Sequence, residues 1–128
     1  MQRILVIDDQ APVRAAIAAV LTAKGNEVVG AEDGAAGLLK LEESPFDVVL
    51  VDLYMPKVDG VKIIKQLRVR YPRLPVIAMS GVILRESTRM AIDMFPLVPE
   101  LKGIVCLKKP FRATELLAAI SQAAAVTA

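Results

Sequence analysis

At 128 residues the chain has the length of one domain and no room for a second catalytic or DNA-binding module. Hydrophobic residues make up 55% of it, yet charges interrupt every apolar stretch short of the ~18 residues a membrane span needs, so the excess belongs to a core. The opening residues lack the pattern of a secretory signal, which predicts a cytoplasmic chain; one cysteine and no histidine exclude a disulfide framework and the familiar zinc sets, and a net charge of +2 gives no argument for nucleic acid.

In chain order, Ile4-Leu5-Val6-Ile7 is the first of four apolar runs that read as strands. Their continuity, without polar alternation, suits parallel strands covered on both faces. Val13, Ile17, Val20 and Leu21 predict a first helix with Pro12 in its first turn and a stop near Gly25. A weaker strand follows at Val28-Val29, then a helix through Leu38 and Leu39 that starts at Asp33-Gly34. Val48-Val49-Leu50-Val51 is the next strand. Val61, Ile64 and Leu67 mark a third helix, closed by Pro72. Lys57, Lys62, Lys65, Arg68, Arg70 and Arg73 concentrate positive charge in this segment, read as a solvated face. Val76-Ile77-Ala78-Met79 is a strand, Glu86 to Phe95 a helix, and Pro96-Leu97-Val98-Pro99 cannot continue it. An irregular excursion is therefore expected over Met94 to Gly103. Ile104-Val105-Cys106-Leu107 is the last strand, with a helix after it through Leu116, Leu117 and Ile120. Alternating strands and helices predict a three-layer α/β domain around a parallel sheet.

Polar residues follow four of the five strand runs directly: Asp8 and Asp9, Asp52, Ser80, and Lys108-Lys109. In an open parallel sheet these ends line the crevice where ligands bind. Three gathered carboxylates repel one another unless a proton or cation intervenes, and Mg²⁺ suits them because it keeps waters and leaves positions for phosphate oxygens. A lysine and a hydroxyl would complete a phosphoryl cradle, with a central carboxylate as nucleophile. Taken singly, Asp8-Asp9 also fits a helix cap and Asp52 a turn. The convergence of all four ends is what argues for chemistry.

These motifs, Ile4 to Asp9, Asp33-Gly34, Asp52 to Gly60, Met79-Ser80-Gly81 and Lys109-Pro110-Phe111, resemble those of bacterial response-regulator receiver domains over nearly the whole chain. The resemblance implies a flavodoxin-like (βα)5 fold with strand order 2-1-3-4-5. It implies Asp52 as phosphoacceptor and Mg²⁺ held by Asp9 directly, by Asp8 through water, by Asp52 and by the Tyr54 backbone carbonyl. Ser80 takes the switch-hydroxyl role, and Lys109, before a cis proline, contacts the phosphoryl group; Lys108 is a surface charge. The phosphoryl group would come from a histidine kinase or phosphotransfer protein, and output would be binding of a downstream protein through the 82–106 face, with no direct nucleic-acid or membrane contact and homodimerisation left open. The chain would be a stand-alone signalling phosphoacceptor and not an enzyme.

Three departures from the family pattern carry expectations of their own. Cys106 stands where an aromatic is usual, and as a strand cysteine it is expected to be buried and inert. Ser80 and Lys109 are separated by a lengthened region, about 94–103, and the small-residue turn usual before the last strand is missing. Tyr54 and Val82 occupy the two positions that tune phosphoryl lifetime, which predicts slow self-dephosphorylation. The alternative of another class is an interaction module that signals without phosphorylation. Against a flavin-binding electron carrier, the chain lacks a phosphate-binding serine/threonine and glycine loop after the first strand, and a phosphatase would want a second aspartate two residues after Asp52, where Tyr54 stands.

Overall fold

Uninterrupted β-branched runs form strands shielded on both faces, and the computed structural model places three of the four runs so, at Ile4–Ile7, Val48–Val51 and Val76–Met79. It describes residues 1–55, 58–81 and 103–127. Five strands, β1 (Arg3–Ile7), β2 (Glu27–Ala31), β3 (Val48–Asp52), β4 (Val76–Ser80) and β5 (Val105–Lys108), make one all-parallel sheet in the order β2-β1-β3-β4-β5. Every residue of β3 and β4 is buried, as central parallel strands require. The helix expected over Glu86 to Phe95, the Pro96 to Pro99 break and the excursion up to residue 102, with Pro56, Lys57 and Val82, lie outside the described residues.

Alternate side chains of the strands feed two cores. On one face, α1 (Ala11–Ala23) and α4 (Ala113–Thr127) bury Ile17, Leu21, Leu116 and Ile120 against Ile4, Val6, Leu50 and Met79. On the other, α2 (Gly34–Glu43) and α3 (Gly60–Arg70) bury Leu41, Ile63, Ile64 and Leu67 against Leu5, Ile7, Val49 and Val51. Each fully buried Leu or Ile contributes roughly 1.5–3 kcal/mol over its exposed state. The exposed side of α3 carries Lys62, Lys65, Arg68 and Arg70, the last paired with Glu42 at 2.8 Å.

Helix ends follow local chemistry. Pro12 sits in the first turn of α1, where its missing N–H would have had no helical partner. Gly25, at φ +85°, lets the chain leave α1 in the left-handed region. Asp33 caps α2, its Oδ1 accepting the Ala36 N–H at 2.8 Å. Gly60 starts α3 so close to β3 that a Cβ there would strike the Asp52 carbonyl and the Leu53 backbone. Tyr54–Met55 pairs antiparallel with Val58–Asp59 in the connection.

One expectation for β5 is corrected. Val105 and Leu107 point into the core with α4, which turns Cys106 and Lys108 to the opposite face of this edge strand. Cys106 is therefore exposed and not buried. Gly103, at φ +81°, stands just before β5.

Candidate functional site

Strand ends that rise together from a parallel sheet bring their next residues to one rim, and backbone ladders continue past the strands to hold them. The Asp8 N–H donates to Ala31 O at 3.1 Å, Leu53 N–H to Met79 O at 2.9 Å, and Lys109 N–H to Ser80 O at 2.7 Å. Asp8, Asp52 and Lys109 are thus each anchored by the neighbouring strand.

The structure brings together Asp8, Asp9, Asp52 and Lys109. One carboxylate oxygen from each aspartate lies within 4.8 Å of the others, Asp8 and Asp52 buried and Asp9 exposed. Lys109 Nζ donates to Asp8 Oδ2 at 2.6 Å and to Asp52 Oδ2 at 3.4 Å. The Lys109-Pro110 bond is cis, as the resemblance implies. Asp52 Oδ1 accepts the Tyr54 N–H at 3.0 Å, and Asp8 Oδ1 accepts the Gln10 N–H at 2.9 Å. Both aspartates therefore do serve local turns as well. Gln10, not Asp8 or Asp9, is the N-cap residue of α1.

Ser80 is buried at the end of β4, and among the described residues its hydroxyl pairs with the Cys106 thiol, Oγ to Sγ 3.8 Å, and not with the acidic cluster. Tyr54 is half-buried beside the site. A groove of about 590 Å³ runs from Asp52, Tyr54 and Lys109 between α1 and α4, past Val13, Val20 and Phe111.

Electrostatics single out Asp52. Burial pushes its carboxyl above the usual value of 3.8, more than the Tyr54 N–H and the Lys109 charge pull it down, and the Asp8 charge adds to the rise. Burial likewise raises the Tyr54 phenol, helped by negative charge at Cys106 and Asp52. Burial around its sulfur raises the Cys106 thiol above 9.0, against smaller opposing effects of the Ser80 hydrogen bond and Lys108. Three carboxylates, all oxygen donors, gather here, and one ammonium pairs with two of them, Asp8 and Asp52. That donor set fits Mg²⁺, a hard cation that takes few carboxylates.

One residue with a bearing on the site escaped the sequence reading. Arg14 Nη1 donates to the Asp8 backbone carbonyl at 2.7 Å. The signal was a cation near the N-terminus of α1, where the helix dipole favours anions and no acid occurs.

The chain matches the family model described as the response regulator receiver domain over residues 4–121. It is similar to a putative NtrX-like response regulator of Rickettsia bellii, 30% identical over 126 residues, which cover 97% of this chain and 25% of that protein. It is similar also to response regulator RR06 of Streptococcus pneumoniae, 33% identical over 92 residues, 72% of this chain and 42% of that one. The chain thus spans less than half the length of these curated relatives. Among solved structures, a response regulator receiver domain protein from Clostridium thermocellum superposes with a TM-score of 0.77 at 30% identity, over 98% of this chain and 95% of that one. The chemotaxis protein CheY4 of Vibrio cholerae gives 0.77 at 25% identity, over 96% and 98%.

Proposed function

Because the chain belongs to the response regulator receiver family of two-component systems, we propose that it accepts a phosphoryl group on Asp52 from a histidine kinase or phosphotransfer protein and signals by binding another protein. The observation that carries this reading is the setting of Asp52: a buried carboxylate at the end of a central strand, with an ammonium on one oxygen and two further aspartates beside it.

Asp9, Asp8, Asp52 and the Tyr54 carbonyl would hold Mg²⁺, which supplies the positive charge that brings phosphoryl oxygens and carboxylates together. A carboxylate oxygen of Asp52 attacks phosphorus; the P–O bond forms as the P–N bond to the donor imidazole breaks, and the electron pair leaves with the nitrogen. The Tyr54 N–H holds Asp52 Oδ1, so the carboxylate presents a fixed face to the donor. Lys109 stands 3.4 Å from Asp52 Oδ2, close enough to reach a phosphoryl oxygen placed there. The Ser80 hydroxyl would leave Cys106 to donate to the phosphoryl group, which adds about −1.5 to −2 charge to the rim. The open groove between α1 and α4 supports an approach by the donor along that side. Tyr54 beside Asp52 would shield the acyl phosphate from water and slow its loss.

Intact mass after incubation with acetyl phosphate and Mg²⁺ tests the reading. Wild type should gain one phosphoryl group and Asp52→Asn none; equal gain in both, or none in wild type, would sink it. If Tyr54 shields the product, the Tyr54→Ala variant should lose its phosphoryl group sooner.

A further inference from the structure

Asp8 is held at four points. Its N–H bonds Ala31 O, its Oδ1 takes the Gln10 N–H, its Oδ2 takes Lys109 Nζ, and its carbonyl takes Arg14 Nη1 at 2.7 Å. The first three belong to the strand edge, the turn and the site. The fourth comes from a helix side chain that could have turned to solvent.

Arg14 reaches Asp8 by crossing β2 at Gly30. A Cβ built on Gly30 would lie 3.2 Å from Arg14 Cδ and 3.4 Å from its Nε, and the third nearest atom, at 3.9 Å, is Arg14 Cβ. The three nearest neighbours of that Cβ all belong to the arginine side chain, so the bare backbone at Gly30 is the track along which it lies. Among the described residues, the Arg14 guanidinium bonds a backbone carbonyl and not a carboxylate. A charge-assisted bond of this length to a carbonyl fixes where the backbone of Asp8 turns, and hence where the next residue, the exposed Asp9, leaves the strand end.

We propose that Arg14, lying across Gly30, is the positioning residue that sets the backbone of Asp8 and Asp9 for binding Mg²⁺. This rests on the reading of the acidic cluster as the Mg²⁺ site. As a cation Arg14 is no metal ligand; it would act through the Asp8 carbonyl, as residues behind metal ligands do, whose loss typically lowers affinity about 10–100-fold.

The test is a Mg²⁺ titration of the folded chain followed by amide chemical shifts of residues 8–10, with urea unfolding of the metal-free variants alongside. Arg14→Ala should weaken Mg²⁺ binding about tenfold. Gly30→Ala should weaken it in the wild-type background, because the new methyl, 3.2 Å from Arg14 Cδ, pushes the stem aside by a few tenths of an ångström, and should have no effect on it in the Arg14→Ala background, where no stem remains to be displaced. Arg14→Lys, which keeps the stem and charge but loses the planar fork, should fall between. Should Arg14→Ala not fold, the Gly30→Ala and Arg14→Lys affinities decide. Arg14 variants that bind Mg²⁺ as wild type does, or a Gly30→Ala effect of equal size in both backgrounds, would overturn this proposal alone. A wild-type chain that binds no Mg²⁺ overturns it together with the reading beneath it.

Discussion

Lys109 Nζ lies 2.6 Å from Asp8 Oδ2, a shorter contact than its 3.4 Å to Asp52 Oδ2, so the lysine's nearer partner is the fully buried aspartate after β1 and not the proposed phosphoacceptor. Among the described residues, Asp8 is the one carboxylate that water cannot reach, and the ammonium compensates it. The same ammonium also reaches Asp52, at the longer distance.

Removing that ammonium leaves buried negative charge uncompensated. Lys109→Met should destabilise the metal-free chain by on the order of 3 kcal/mol. Mg²⁺ should restore part of the loss, since a cation in the acidic cluster substitutes for the missing one. Urea unfolding with and without Mg²⁺ measures both effects, and a variant as stable as wild type without metal would show that Lys109 is not the compensating charge.

The pH dependence of Asp52 has a definite sign. Its carboxyl is raised in the folded state, chiefly by burial, so the folded chain binds the proton more tightly than the unfolded one. Its contribution to stability is fully present below the ordinary value of 3.8 and is lost as pH rises through the folded-state value. Asp52→Asn, which cannot ionise, should therefore be more stable than wild type at pH 7 in the absence of Mg²⁺. The advantage should shrink as pH falls towards 3.8. Urea midpoints of both proteins across that range check it; an advantage that grows on acidification would contradict the assignment.

Asp9 separates binding from folding. It is the exposed member of the cluster, so Asp9→Asn should change metal-free stability by less than about 0.5 kcal/mol. If it is a direct ligand, Mg²⁺ affinity should nevertheless fall by at least about tenfold. Calorimetric titration beside thermal melts would detect the opposite pattern, lost stability with intact affinity.

Cys106 is exposed, yet its thiol is raised above 9.0 by burial around the sulfur. Thiolate is the reactive form. Alkylation by iodoacetamide at pH 7.5 should be slower than that of a cysteine in an unstructured peptide, and should accelerate on raising pH beyond the range where the peptide has levelled off. Reaction as fast as the peptide's would remove the argument that packing protects the sulfur.

Much of the fold is legible along the chain because its signals are local. Val48 to Val51 and Val76 to Met79 read as central strands from continuous apolar character alone, and both are buried throughout. Pro12, Gly25 and Asp33 mark helix ends by their own backbone and side-chain chemistry. The exposure of Cys106 is not legible in the same way, because burial on an edge strand depends on which face its neighbours Val105 and Leu107 take, and their packing against α4 decides that.

The site divides in the same way. By itself the sequence determined that Asp8, Asp9, Asp52, Ser80 and Lys109 share a rim, because parallel strands all point their carboxyl ends one way. Only the tertiary structure decided how those residues pair: Lys109 with Asp8 first, Ser80 with Cys106, and Arg14 across Gly30 to the Asp8 carbonyl. These contacts join residues far apart in the chain or rely on an absent Cβ, and their distances, set by how helices pack on the sheet, leave no periodicity or spacing to read.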